Sequence, residues 1–396
     1  MRLAYLDPHA VPGDIPEALQ ILQTVDAFGA IGIETILVTP EPRVALPPYE
    51  ILTHELSPLV TVRHLPDYRR RWWFPINSNR PFYRAAARAL ARLSVDAVIV
   101  RNLKMAEYLL RHQATVPLIF ETHELFAQTY REEHAPLSAR HHRRLAVLEA
   151  RERFVYRGAH GLVALTPLLI EDIRNAYAIH TPTAVAPDGV DLRAADNHRA
   201  ELRPNQPPVL LYLGSLHPWK GVDIAIRAMA LLKHPAHLVV VGGNDRRIRE
   251  LRTLAQQLGI GHQVHFQGPC RPADRFATIQ AADICLLPLA PTSIGSRYTS
   301  PLKLFEYMAM GKPVVASDLP SLRAVLEPDR HALLAASGDP PSFAAAIDRL
   351  LEDPVLRKRL GAAGHERARA FSWENRATRI REFVSELLVT AQHHNG

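Results

Sequence analysis

One feature narrows the fold more than any other: strand-length apolar runs alternate with stretches of helical apolar spacing along nearly the whole chain. LAYLDP is followed by Ile15 to Phe28, where Ala18, Leu19, Leu22 and Val25 fall at helical spacing, and then by TILVTP. DAVIV, a helix near Met105 to Arg111 and PLIF repeat the order, as do GLVAL and a helix from Pro167 to Tyr177. The second half is clearer: VLLYLGS, a helix from Val222 to Leu232, HLVVVGG, a helix from Arg247 to Leu258, and VHFQG. ADICLLP, the helix Leu302 to Met310, PVVAS, the helix Ser342 to Leu351 and a last helix from near Trp373 towards Leu387 complete it. Such alternation predicts parallel sheets covered by helices on both faces.

A chain of 396 residues is long enough for two such units. The polar, proline-rich stretch RAADNHRAELRPNQPP marks their boundary, giving an N-terminal domain over 1–192 and a linker over 193–208. A C-terminal domain over 209–371 follows, with a crossover helix and tail over 372–396. In open parallel sheets ligands sit beyond the carboxyl ends of the strands, so two facing units predict a cleft with the functional loops along it.

An apolar fraction of 47% with 22% charged residues describes a globular chain. No apolar run reaches the ~18 residues of a membrane span, and MRLAYLDPHAVPG lacks the hydrophobic stretch of a signal peptide, so a cytoplasmic location is expected. Cys270 and Cys285 fit neither a metal pair nor a disulfide framework and are expected to be buried thiols. The net charge of +7 favours anionic partners without choosing among nucleotides, anionic lipids and nucleic acid. Nucleic acid would rest on charge alone and is set aside.

Two loops carry the chemistry. In Tyr212 to Gly221, between a buried strand and a helix, Gly214 permits close backbone approach, Ser215 offers a hydroxyl and Lys220 brings a cation to a helix N-terminus. That is the outline of a diphosphate site. In Ser300 to Ser317, Ser300 is expected as N-cap and Pro301 as first helical residue, leaving amides for phosphate oxygens. Glu306, one turn in, suits vicinal ribose hydroxyls.

GSL-x-x-x-KGVD, SPLKLFEYMAMGKPVVASDLPSLR, APDGVD and FQGPC-x8-IQAADICLLP resemble the retaining GT-B glycosyltransferases of group 1, which include mannosyl-, glucosyl- and N-acetylhexosaminyl-transferases. The likeness spans the second half and is weak in the first. It implies a GT-B fold of two Rossmann-like domains facing across a cleft, with the C-terminal helix packing back on the N-terminal domain. It also implies that Lys220 stabilises the departing diphosphate, that Ser300, Pro301 and Leu302 bind its oxygens, and that Glu306 holds the ribose. Gly268, Pro269 and Arg271 would border the base, and Asp188 to Asp191 would sit where the domains meet. His123, at the end of PLIFETHELF, matches a histidine that reaches donor sugar and acceptor, so His123 and Lys220 are the expected catalytic residues. Gly13 and Asp14 resemble the glycine loop beside the acceptor, with Glu124 a further acceptor-side residue.

Two positions depart from the pattern. Ser215 stands where an arginine is common, and Tyr298 where a first glutamate is common; Arg297 or Lys303 is expected to replace the lost cation. The implied activity is transfer of a hexosyl or N-acetylhexosaminyl group from a nucleotide diphosphate sugar, UDP-sugar before GDP-mannose, to a glycan, lipid-linked or small-molecule hydroxyl. No Asp-x-Asp sequence occurs, so neither a metal nor a further cofactor is expected. The cluster Tyr68 to Phe74, three arginines among aromatics, is expected to touch an anionic membrane surface as a peripheral contact. A dehydrogenase would need Gly-x-Gly-x-x-Gly after an early strand, which is missing. An inactive sugar-nucleotide-binding module and a GT-B epimerase or phosphorylase remain the alternatives.

Overall fold

The computed structural model describes residues 1–13, 15–42, 46–67, 78–112, 116–199 and 206–394. The chain divides into two compact units, Met1–Pro187 with Trp373–Gly396, and Asp188–Ser372.

The first unit runs β1 (Arg2–Leu6), α1 (Pro16–Ala30), β2 (Glu34–Pro40), α2 (Tyr49–Leu52), β3 (Val60–Leu65), α3 (Arg80–Leu90), β4 (Ala97–Val100) and α4 (Leu103–His112). It continues with β5 (Leu118–Thr122), α5 (Phe126–Glu133), α6 (Ala139–Gly158), β6 (Gly161–Ala164), α7 (Pro167–Tyr177) and β7 (Thr183–Val185). The strands form one parallel sheet in the order β3-β2-β1-β4-β5-β6-β7. Strand order therefore reverses between β1 and β4, the place where open sheets bind ligands.

The second unit opens with α8 (Leu192–His198), β8 (Val209–Leu213), α9 (Val222–Met229), β9 (His237–Val241), α10 (Asp245–Gln257), β10 (Val264–Gly268), α11 (Arg275–Gln280) and β11 (Ile284–Leu287). Then come α12 (Leu302–Ala309), β12 (Val314–Asp318), α13 (Pro320–Arg323), β13 (Leu333–Ala336), α14 (Pro340–Glu352) and α15 (Pro354–Ala368). Its parallel sheet is ordered β10-β9-β8-β11-β12-β13, with the reversal between β8 and β11. Strand alternation splits the core into two layers: Leu211, Leu213, Cys285 and Leu287 pack with Phe305 and Met308 of α12. On the opposite face Leu210, Tyr212, Ile284 and Leu286 pack with α9, α10 and α14.

The last helix, α16 (Trp373–His394), belongs to the first unit. It packs on α1, β6 and β7, and Gly161 lets it approach, since a Cβ there would lie 2.6 Å from Leu387 Cδ1 and 2.8 Å from Phe383 Cζ. Arg376 enters this core as a cation: it is 1% exposed, pairs with Glu121 at 2.7 Å and donates to the carbonyls of Ala186 and Pro187.

Two expectations need correction. Leu192–His198 within and beside the expected linker is helical, because Asp191 Oδ1 caps it by accepting from the Ala194 amide at 2.9 Å while Ala194 and Ala195 are buried. Cys285 is buried, its thiol pushed up to about 12 by desolvation, but Cys270 is only half-buried. Tyr68 to Phe74 and Asp14 lie outside the described residues. No described helix is long and apolar enough to cross a membrane.

Candidate active site

In the second unit, three adjacent strands end on glycines. Gly214 follows β8, Gly242 and Gly243 follow β9, and Gly268 closes β10, all with φ between 72 and 137°. A Cβ on Gly242 would lie 2.1 Å from the Gly214 carbonyl oxygen, so any side chain there would drive the two loops apart. Beyond Gly214 a 3-10 turn, Pro218–Lys220, hands the chain to α9 through Gly221. Gly221 has φ +67° and packs so closely on Pro288, just past β11, that a Cβ would sit 1.7 Å from its carbonyl oxygen. The loop is thereby fixed at the point of strand reversal.

Lys220 is half-buried, its ammonium 3.7 Å from the Trp219 ring centroid. Burial pushes its pKa down to about 7. Lys303 reaches the same loop from α12: its Nζ donates to the Tyr212 hydroxyl at 3.0 Å and would lie 2.6 Å from a Cβ on Gly214. Burial, then the nearby Lys220 charge, holds Lys303 well below the ordinary lysine value, with Glu306 opposing. The structure therefore brings Gly214, Ser215, Lys220 and Lys303 together.

The start of α12 differs from expectation. Pro301 itself occupies the N-cap position with no side-chain cap, and Ser300 does not cap, because its hydroxyl accepts from the Asp188 amide at 2.9 Å. No side chain therefore covers the first amides of Leu302 and Lys303, and the helix dipole favours an anion there. Glu306 is paired at 2.9 Å with Arg275, a residue the sequence reading passed over. Burial raises Glu306, and Arg275 opposes the rise. Past Gly268, Pro269 is exposed and Arg271 is engaged with Asp274 at 2.7 and 3.0 Å, so its guanidinium braces the turn. Tyr298 is buried, and Arg297 lies in the π-turn Ile294–Tyr298.

In the first unit, the reversal between β1 and β4 opens a cavity of about 340 Å³ lined among others by Asp7, His9, Arg101, Lys104, His123 and Glu124. His123, just past β5, bonds through Nε2 to Glu121 Oε1 at 2.6 Å. Desolvation alone would raise Glu121; Arg376, then His123 and Arg101, hold it well below the usual carboxylate range. A carboxylate kept ionised fixes the ring it touches. Glu124 is half-buried and raised by burial. Gly13 packs under the same loop, where a Cβ would be 2.8 Å from the Ala10 carbonyl oxygen.

A second histidine–carboxylate pair in this cavity escaped the sequence reading: His9 Nδ1 lies 2.6 Å from Asp7 Oδ1, and that bond raises His9. Its signal was DPHA directly after the first strand, two polar residues where a buried strand meets its loop. Among the described residues no group of three or more His, Cys, Asp or Glu side chains could hold a metal ion.

Two parallel α/β units, one carrying a glycine-lined, lysine-bearing loop at its strand reversal, define a two-domain α/β protein. The model of the family "Glycosyl transferases group 1" matches residues 207–353, and that of "Glycosyltransferase Family 4" matches residues 19–194. The chain belongs to the group 1 glycosyltransferases and has the GT-B fold. It is similar to D-inositol 3-phosphate glycosyltransferase of Acidothermus cellulolyticus, 37% identical over 210 residues, 48% of this chain and 45% of that protein. It is also similar to the Corynebacterium urealyticum enzyme of that name, 29% identical over 255 residues, 60% of this chain and 59% of that protein. The matches thus span less than two thirds of these relatives. Among solved structures, sucrose-phosphate synthase from Thermosynechococcus elongatus superposes with TM-score 0.79 at 22% identity, covering 98% of this chain and 99% of that one. Anabaena HepE in complex with UDP and glucose gives 0.74 at 19% identity, covering 98% and 100%.

Proposed function

We propose that the chain is a retaining, metal-independent hexosyltransferase that takes a nucleotide diphosphate sugar, UDP-sugar before GDP-mannose, and moves the hexosyl or N-acetylhexosaminyl group to an acceptor hydroxyl. The observation that carries this reading is the meeting of Lys220, Lys303 and the uncapped start of α12 at one glycine-lined loop. Departure of the sugar leaves growing negative charge on the diphosphate, and cations and amides already aimed there are what lowers that barrier. Glu306 accepts from the ribose hydroxyls, and Gly268, Pro269 and Arg271 border the base. The UDP held by HepE supports a uridine donor.

In the first unit, His123 contacts the transferred sugar. The loop of Gly13 and Asp14 together with Glu124 receives the acceptor. A phosphorylated polyol is the first acceptor to try, given the name of the two curated relatives. Contact of Tyr68 to Phe74 with an anionic membrane surface belongs to the same reading.

The test is a thermal-shift screen across nucleotide sugars followed by release of free nucleotide. A donor at 100 times its Kd adds about 2.7 kcal/mol of stability to the state that binds it. One donor is expected to stand out, and its turnover to persist in EDTA. A protein indifferent to every nucleotide sugar ends the reading. A protein that binds one and never turns it over is instead the inactive module that Ser215 and Tyr298 would permit.

A further inference from the structure

We propose that Lys220 and Lys303 form a two-lysine clamp for the nucleoside diphosphate, in which Lys303 supplies the cation absent at Ser215 and the closing clamp takes up a proton from solvent. This rests on the donor-site reading above and adds to it a residue role and a linkage.

The geometry carries the argument. Lys303 is buried, yet its Nζ donates to a neutral hydroxyl, that of Tyr212, and lies 4.1 Å from the same ring's centroid. Tyr212 donates in turn to the Ser215 carbonyl at 2.7 Å, so the hydroxyl keeps a lone pair for the lysine and ties it to the loop where the arginine would stand. Gly214 leaves the space above its Cα that the Lys303 ammonium fills. The carboxylate nearest in sequence, Glu306, is already spent on Arg275.

The charged and titratable groups facing Lys303 are thus Lys220 from the loop after β8, Glu306 on α12, Arg275 on α11 and Tyr212 on β8. Glu306, the carboxylate whose charge reaches Lys303, is already paired with Arg275. Two ammonium ions that share a partly desolvated site repel, so one of the pair is held neutral until an anion arrives. Both amines do sit below the ordinary lysine value, Lys220 through burial and Lys303 through burial first and the Lys220 charge second. A bound diphosphate reverses the balance: the neutral –NH2 takes one H+ from water and becomes –NH3+, and both cations then face phosphate oxygens.

The experiment is titration calorimetry of the full chain with UDP at pH 8, where the nucleotide is itself fully ionised, in three buffers of different ionisation enthalpy. The slope of observed enthalpy against ionisation enthalpy counts protons, and uptake of at least roughly one half and up to about two protons is expected. Lys303→Met is expected to weaken UDP about 10-fold or more and to lower the uptake measurably below that of the parent. Ser215→Arg placed on Lys303→Met is expected to restore affinity without restoring uptake, because arginine stays charged. That rescue separates loss of a cation from loss of fold.

UDP binding without proton exchange, or Lys303→Met binding as tightly as the parent, overturns the clamp and leaves the donor-site reading intact. If the parent chain binds none of UDP, GDP and ADP, the donor-site reading itself fails.

Discussion

The Glu121–Arg376 pair is where a single change should cost most. Both side chains are 1% exposed, their atoms lie 2.7 Å apart, and Tyr5 donates to the second carboxylate oxygen at 3.2 Å. Removing the arginine leaves the buried carboxylate to His123 and Tyr5 without its permanent cation, and breaking a buried pair in this way costs about 3–5 kcal/mol. Arg376→Met also frees the carbonyls of Ala186 and Pro187, so the upper end of that range is expected. Against the ~5–15 kcal/mol of a typical domain this is a large share. It should appear as an early urea transition of the first unit, read with the second unit's transition as internal control. Glu121→Leu with Arg376→Met removes both charges and should be more stable than Arg376→Met alone by several kcal/mol.

The pH dependence has a definite sign. Glu121 is depressed in the folded state, so the stability it contributes is full above the ordinary glutamate value of 4.5 and fades as pH falls towards its native one. An Arg376→Met transition within about 1 kcal/mol of the parent, as for a surface residue, would refute the reasoning.

Three further outcomes follow from the geometry. Gly221→Ala sets a Cβ against Pro288 in a left-handed backbone, so the second unit should lose about 2–5 kcal/mol by calorimetry; an unchanged melting temperature contradicts the close packing. Glu152 is buried in α6, accepts from the Tyr177 and Tyr156 hydroxyls and the Ala127 amide, and burial raises it to about 7. With the native value above 4.5, its share of stability is full below pH 4.5 and is lost as pH rises through 7. Glu152→Gln should flatten that slope, and parallel curves for parent and variant would rule it out. His123→Ala should lower kcat about 10²–10³-fold with UDP affinity nearly unchanged; equal losses in both would place the histidine on the nucleotide instead.

Central strands were legible because burial on both faces makes them continuous apolar runs, as in Leu210 to Leu213 and Leu238 to Val241. The edge strands β3 and β7 of the first sheet were not: Val60–Leu65 reads VTVRHL and alternates with exposed polar residues, and Thr183–Val185 is only three residues long. Helix α3 does carry a helical pattern, with Phe82, Tyr83, Ala86, Ala87 and Leu90 buried and Arg84 and Arg88 exposed, and it was passed over because its face is built largely of alanine. The site followed the same rule of locality. Gly214 and Lys220 lie in one loop and Leu302 and Glu306 in one helix, and both pairs could be read from spacing. The bond of Ser300 to Asp188 spans 112 residues, and those of Lys303 to Tyr212 and Arg275 to Glu306 likewise join separate strands and helices. No local pattern announces them. The expectation that Ser300 caps α12 failed because the side chain had a distant amide to serve instead.

The helix that completes the first unit has a consequence for how the protein is made. Arg376 is added to the nascent chain 255 residues after Glu121, so that carboxylate must wait on the ribosome without its cation while the whole of Asp188–Ser372 is translated. The second unit is contiguous and can close as it emerges. Stop codons between the two units should therefore yield an N-terminal fragment that chaperones hold and proteases clear, whereas the C-terminal unit expressed alone should survive.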